Sequence, residues 1–290
     1  MKKRLLLIIL CLFLTGCSTA AEQADIAATT LPVWEFTSRL CEGTGLTVTR
    51  LVTESVSCLH DYSLNVRQVR AAEAADVIVI NGAGLEAFMD DILHERATID
   101  ASSGIDIMEC SHHHDHDHGH DGHHHEEDSH IWLSPENAKV MAENICTGLS
   151  HKYPNYADVF AENLKILIDD LDALQTYGQR ALEELSCREL ITFHDGFGYL
   201  AESFGLHILE AVEEESGSEA SAAELKHMIG IVREHRLPAI FTEINGSVSA
   251  AEIIAAETGA TVFALDMAMS GDSWFEAMQY NIDTLKEALE

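Results

Sequence analysis

The sequence predicts an α/β protein: two parallel-sheet (βα) domains joined by one long backbone helix. Three observations carry that expectation. Short apolar runs of strand length alternate with helix-like runs in both halves of the chain, as in βαβ units whose sheets are covered on both faces. The chain has 290 residues, which suits two domains better than one. Between them, residues 155–186 contain no Pro and a single Gly. There Phe160, Leu164, Leu167, Leu171, Leu174 and Leu185 line one helical face. At 1.5 Å per residue such a segment spans roughly 48 Å, enough to run along both halves. The alternative is two shorter helices broken at Gly178.

The elements follow in order. Lys2, Lys3 and Arg4 precede an apolar run over residues 5–14, too short to span a membrane, which needs about twenty residues. This reads as a secretory signal. Leu14-Thr15-Gly16-Cys17-Ser18 resembles the bacterial lipobox, in which the cysteine is acylated and becomes the mature N-terminus. Two or more acyl chains anchor a protein stably where one does not. The expected layout is a signal peptide over 1–16, a lipidated tether over 17–25 and an N-terminal α/β domain over 26–152. A linking helix over 153–187 and a C-terminal α/β domain over 188–290 complete it.

In the first domain, strands are expected at residues 26–30, 46–52, 77–81 and 105–109. Helices are expected around 33–41, 63–74 and 84–94, and Ser134 is placed to cap a helix with Pro135 at its first position. In the second, strands are expected at 190–193, 207–209, 239–243 and 261–265. Its helices fall near 197–204, 222–236, 250–258 and 274–289.

The segment 111–130 belongs to no packed element. It reads SHHHDHDHGHDGHHHEEDSH and holds no apolar residue. Nine histidines fall within fourteen positions: His112, His113, His114, His116, His118, His120, His123, His124 and His125. Neutral imidazole is the commonest protein ligand for zinc and binds copper and nickel well. A flexible run lacks the fixed geometry of a tight site, so the tract is expected to collect metal ions weakly.

Composition excludes other classes. A formal charge of −32, made more negative by loss of Lys2, Lys3 and Arg4, argues against nucleic acid and against adhesion to anionic lipid. Six cysteines remain from Cys17 onward, no CxxC occurs, and neither a zinc knuckle nor a thioredoxin motif is indicated.

Ligands of parallel α/β sheets bind beyond the carboxyl ends of strands. Four groups sit there, two from each half. His60 follows a strand and a short loop, and His130 directly precedes Ile131-Trp132-Leu133-Ser134-Pro135. His194 ends Ile191-Thr192-Phe193, and Asp266 ends Val262-Phe263-Ala264-Leu265. Together they make a metal site expected in the interdomain cleft.

On these residues the chain resembles the zinc- and manganese-binding solute-binding proteins of bacterial ABC importers. The matching motifs are Ala28-Thr29-Thr30 with Pro32, His60-Asp61-Tyr62, the His-rich loop, and Asp128-Ser129-His130-Ile131-Trp132-Leu133-Ser134-Pro135-Glu136-Asn137. Phe193-His194-Asp195-Gly196-Phe197-Gly198-Tyr199-Leu200, Glu257-Thr258-Gly259-Ala260, Leu265-Asp266 and Tyr280-Asn281-Ile282-Asp283 complete the set. The resemblance implies that His60, His130 and His194 bind the metal, with Asp266 as fourth ligand and Glu243 or water as alternatives. It implies a monomeric partner of an ABC permease and its ATPase, held at the outer face of the membrane by acylated Cys17. Two features depart from the family: Leu59 stands where Pro usually precedes the first His, and the C-terminal Cys pair of many zinc members is missing.

Three imidazoles and one carboxylate suit tetrahedral Zn²⁺, whereas Mn²⁺ prefers more oxygen ligands and higher coordination. Zinc is therefore the expected cargo, with manganese, nickel or copper as alternatives. Two other classes compete. A zinc hydrolase would need an open metal position and a base, and no HExxH occurs. A surface adhesin is the other, since lipid-anchored members of this family carry that description.

Overall fold

The structure, a computed structural model, describes residues 24–54, 59, 62–109, 127–213 and 221–290. Its first half contains β1 (Ile26–Ala28), α1 (Leu31–Leu40), β2 (Val48–Arg50), α2 (Val66–Ala74), β3 (Val77–Ile80), α3 (Asp90–Leu93) and β4 (Thr98–Asp100). These strands form one parallel sheet in the order β2-β1-β3-β4. Two helices follow, α4 (Pro135–Lys152) and α5 (Ala157–Ala181). The second half contains β5 (Glu189–His194), α6 (Gly198–Ser203), β6 (His207–Glu213), α7 (Ala222–His235), β7 (Ala239–Glu243), α8 (Ser249–Thr258), β8 (Thr261–Leu265) and α9 (Trp274–Leu289). Its sheet is also parallel, in the order β6-β5-β7-β8. The expected α/β class is therefore what the chain adopts.

Each sheet winds first to one side and then to the other. The direction reverses between β1 and β3, and again between β5 and β7. A crevice opens beyond the strand ends at such a reversal, the preferred place for a ligand in open α/β sheets.

Local chemistry explains the helix starts. The Ser134 side chain accepts from Asn137 N at 3.3 Å, and Pro135 occupies the first turn, where its missing N–H costs nothing. Reciprocal capping boxes start α2 (Asn65 with Gln68) and α7 (Ser221 with Glu224).

Three expectations are corrected. Residues 105–109 form no strand; the fourth strand is Thr98–Asp100. Residues 105–107 alternate in exposure as a strand would, yet their backbone joins no sheet, and Met108 N donates to the Tyr199 hydroxyl at 2.8 Å. The true strand buries only Ile99, so it offers no apolar run to read. The helix expected around 84–94 is a turn, a 3₁₀ segment Ala87–Met89 and the single-turn α3. The helix expected over 155–186 begins only after a 3₁₀ turn at Pro154–Tyr156 and ends at Ala181. It passes Gly178 without a break.

Helix α5 still packs on both halves, against α1 and α4 on one side and α9 on the other. Its Phe160, Leu167, Leu171 and Leu174 are buried in one apolar cluster that also contains Phe36, Trp132, Leu190, Trp274 and Leu285. A single core thus crosses from half to half. Hydrogen bonds reinforce the junction. Trp132 Nε1 donates to Met267 O at 2.7 Å, and Trp274 Nε1 donates to Trp132 O at 3.1 Å. Glu35 on α1 accepts from Trp274 N at 2.5 Å and Ser273 Oγ at 3.2 Å, capping α9 from the other half.

Gly178 is where α5 meets the second half most closely. A Cβ there would lie 2.3 Å from Phe204 Cε1 and 3.0 Å from Ile282 Cδ1. Gly178→Ala raises helix propensity but overpacks the junction, so we expect a net loss of about 1–3 kcal/mol. Thermal unfolding checks this; a Tm equal to or above wild type would contradict it.

Candidate metal centre

His194 is the last residue of β5 and His130 the residue before the 3₁₀ turn Ile131–Leu133 that leads into α4. They come from different halves, yet their Nε2 atoms stand 3.2 Å apart, with the rings nearly perpendicular at 86°. Both are buried, at 5% and 2% exposure for His130 and His194.

The outer nitrogens face carboxylates. His130 Nδ1 lies 2.7 Å from Asp128 Oδ1, which also accepts the His130 backbone N–H at 2.9 Å. His194 Nδ1 lies 3.4 Å from Glu243 Oε1, at the end of the adjacent strand β7. The Asp128 carboxylate, hydrogen-bonded to Nδ1 of His130, favours a proton there and a lone pair on Nε2, the arrangement found behind metal-bound histidines; Glu243 stands in charge contact with His194 Nδ1 at the longer distance. Two Nε2 lone pairs facing each other at this 3.2 Å separation would repel. A proton or a cation shared between them removes that repulsion. Two nitrogens on one tetrahedral zinc, with Zn–N near 2.0–2.1 Å, would stand about 3.3–3.4 Å apart. The observed gap is close to that edge length.

Gly196 makes the approach possible. A Cβ at this position would lie 2.8 Å from His194 Nε2 and 2.9 Å from His130 Cε1. Only a residue without one leaves both rings where they are.

Asp266 follows β8 directly and is partly buried. Asn281 on α9 grips its backbone in both directions, accepting from Asp266 N and donating to Asp266 O, each at 2.7 Å. Asp266 Oδ1 accepts from Ala268 N at 2.8 Å. Burial raises the carboxyl above its ordinary range, and the Ala268 N–H opposes that shift.

Of the residues singled out from sequence, the structure therefore joins His130 and His194, sets Glu243 against the outer nitrogen of His194, and places Asp266 at the end of β8. His60, Cys17 and the tract histidines lie outside the described residues. Among the described residues, no three His, Cys, Asp or Glu side chains gather as a metal-holding group. Cys41, Cys146 and Cys187 are free thiols; Cys58 and Cys110 are outside the described set. Sequence reasoning missed Asp128, Gly196 and Asn281 as parts of the site. Asp128-Ser129-His130 carries a usable signal, since an Asp two residues before a histidine commonly bonds forward to its backbone.

Residues 26–288 match the family described as zinc-uptake complex component A, periplasmic. Zinc-binding lipoprotein AdcA of Streptococcus pneumoniae (strain TIGR4) is 30% identical over 315 residues, covering 100% of this chain and 62% of that protein. High-affinity zinc uptake system protein ZnuA of Bacillus subtilis (strain 168) is 29% identical, covering 94% of this chain and 90% of that one. A crystal structure of ZnuA superimposes with a TM-score of 0.78 at 28% identity, over 92% of this chain and 100% of that one. The chain thus spans less than two thirds of the AdcA protein it matches.

Gly196→Ala is expected to weaken divalent-metal binding at least tenfold, on the order of what disturbing a ligand's orientation costs, while the fold survives. Competition against a chromogenic chelator measures it; unchanged affinity would mean that the two rings do not work as a pair.

Proposed function

Because this chain belongs to the family of zinc-uptake complex component A, we propose that it captures Zn²⁺ outside the cytoplasm and hands it to a membrane permease driven by an ATPase. The observation that carries this reading is the pair of Nε2 atoms 3.2 Å apart, each ring backed by a carboxylate. We assign the cargo to His130 and His194 together with His60 and Asp266, one strand-end group being added from each half. Glu243 then acts behind His194 by holding its Nδ1 proton, not as a ligand. Asp128 does the same for His130.

The N₃O set favours zinc over manganese, because three imidazoles suit a small tetrahedral ion and leave too few oxygens for Mn²⁺. With a carboxylate in the fourth position no metal-bound water remains to be activated, so the centre binds and releases and does not hydrolyse. The lipobox-like Leu14-Thr15-Gly16-Cys17 supports anchoring through acylated Cys17, consistent with relatives that are named lipoproteins. The histidines of the 112–125 tract would raise the local ion concentration beside the centre into the millimolar range expected of a short tether.

The shared core restricts how this protein can open. Wide hinge closure would tear Trp132 and Trp274 from their partners. Capture and release are therefore confined to shifts of strand-end loops.

Isothermal titration tests the assignment. One tight zinc per chain is expected, lost by at least about a hundredfold in His130→Ala and in His194→Ala, since each removes a ligand and strands its carboxylate. Wild-type affinity in both variants would refute the site. Affinity should also fall as the pH drops through about 6.5, where imidazole ordinarily takes up a proton and can no longer ligate. The raised Asp266 carboxyl works in the same direction, because its proton competes at a higher pH than an ordinary aspartate's. Removing residues 112–125 should abolish weak stoichiometry and leave the tight site intact; loss of the tight site would place the centre in the tract.

A further inference from the structure

One buried carboxylate has no part in the centre just described. Glu86 is buried beyond the carboxyl ends of β1 and β3, at the reversal point of the first sheet. Three donors converge on it. Thr29 Oγ1 and Asn81 N donate to Oε1 at 2.6 and 2.8 Å, and Gly82 N donates to Oε2 at 3.0 Å. Burial nevertheless pushes its carboxyl up to about 7. A fold that only needed to close the turn after β3 could do so with a neutral acceptor.

What the carboxylate holds in place is Asn81, which is completely buried. With its backbone N–H fixed by Glu86, the Asn81 side chain reaches out of the sheet. Its Nδ2 donates to Gly82 O at 3.1 Å and to Ser129 O at 3.2 Å. Ser129 lies between Asp128, the carboxylate behind His130, and His130 itself. The segment has a second handle from the other half: Tyr199 Oη donates to Asp128 O at 3.0 Å. These two attachments hold the backbone on which Asp128 meets His130 Nδ1 at 2.7 Å and His130 Nε2 faces His194.

We propose that Glu86 and Asn81 are positioning residues for the metal centre: the Glu86 carboxylate fixes Asn81, whose amide grips the Ser129 carbonyl and so aims His130 at the metal. This rests on the reading of His130 as a ligand. Neither residue touches the metal, so the effect passes through hydrogen bonds alone. Such outer partners are worth about 10–100-fold in metal affinity.

The test uses the full chain with four variants. Asn81→Ala removes the grip on Ser129. Glu86→Gln keeps the shape but turns an amide N–H₂ toward a backbone donor. Gln175→Ala is the control, a buried side chain on α5 whose Nε2 donates to Ser203 O at 3.2 Å, far along the chain from the strand ends. His130→Ala reports on the ligand assignment. Zinc affinity is read by chelator competition, the visible spectrum of the Co²⁺-loaded protein reports ligand geometry, and metal-free Tm reports stability. Asn81→Ala and Glu86→Gln should each weaken zinc about 10–100-fold and shift the Co²⁺ spectrum. Gln175→Ala, at comparable loss of Tm, should leave both within about twofold. Should Asn81→Ala not fold, Glu86→Gln carries the comparison. Unchanged affinity and spectrum in Glu86→Gln and Asn81→Ala, with binding lost in His130→Ala, overturn the positioning role and leave the ligand reading standing. An equal loss in the Gln175→Ala control also overturns it, as a general effect of instability. Wild-type binding by His130→Ala overturns both.

Discussion

Two imidazole nitrogens from different halves of a chain can stand 3.2 Å apart only if the halves are locked in register. A lateral slip of 1 Å would either collide the rings or open the gap beyond what one ion bridges. The lock is the junction of Trp132 and Trp274. Each indole is buried, each donates a hydrogen bond across or along the junction, and both belong to the apolar cluster that contains the buried face of α5. Buried aromatic area of this size is worth several kcal/mol. The 3₁₀ turn carrying Trp132 also carries His130 at its start, so fastening the tryptophan fastens the imidazole. Structure and site are in this sense one interaction.

The chemistry builds outward from the ring pair. Each ring sets Nε2 inward and Nδ1 toward a carboxylate, which is hydrogen-bonded to His130 at 2.7 Å and in charge contact with His194 at 3.4 Å. Each carboxylate has its own backbone anchor: Glu243 closes β7, and Asp128 N donates to Met108 O at 2.8 Å. A strongly acidic chain adds a long-range preference for cations, which salt screens beyond roughly 10 Å.

Much of this was legible in the sequence. In the second half, strands at Ala239–Glu243 and Thr261–Leu265 and the helix Trp274–Leu289 stand where the apolar pattern puts them: the first is buried throughout, the second is an unbroken Val262-Phe263-Ala264-Leu265 run ending on buried Leu265, and the helix buries one face. His194 at a strand end, with glycine two residues later, was visible as a pattern. The failures have physical causes. Strand β4 buries one side chain and so has no pattern, while residues 105–107 alternate like a strand but join no sheet, and Met108 N bonds to a tyrosine from the other half. The C-terminal end of α5 at Ala181 is not marked in the sequence because the apolar stripe continues to Leu185, past the last helical hydrogen bond. The position of Glu243 behind His194 was beyond sequence reasoning, since which face of an imidazole a carboxylate from another strand meets is a matter of three-dimensional register.

The central claim is that three imidazoles and one carboxylate, gathered from both halves, hold a single ion. X-ray absorption at the zinc edge, on protein lacking residues 112–125 and loaded with one equivalent, tests it most directly. The account predicts a first shell of three nitrogens near 2.0–2.1 Å with imidazole outer-shell scattering, one oxygen near 2.0–2.2 Å and no sulfur. A sulfur shell near 2.3 Å, or a shell dominated by oxygen with one imidazole or none, would contradict it.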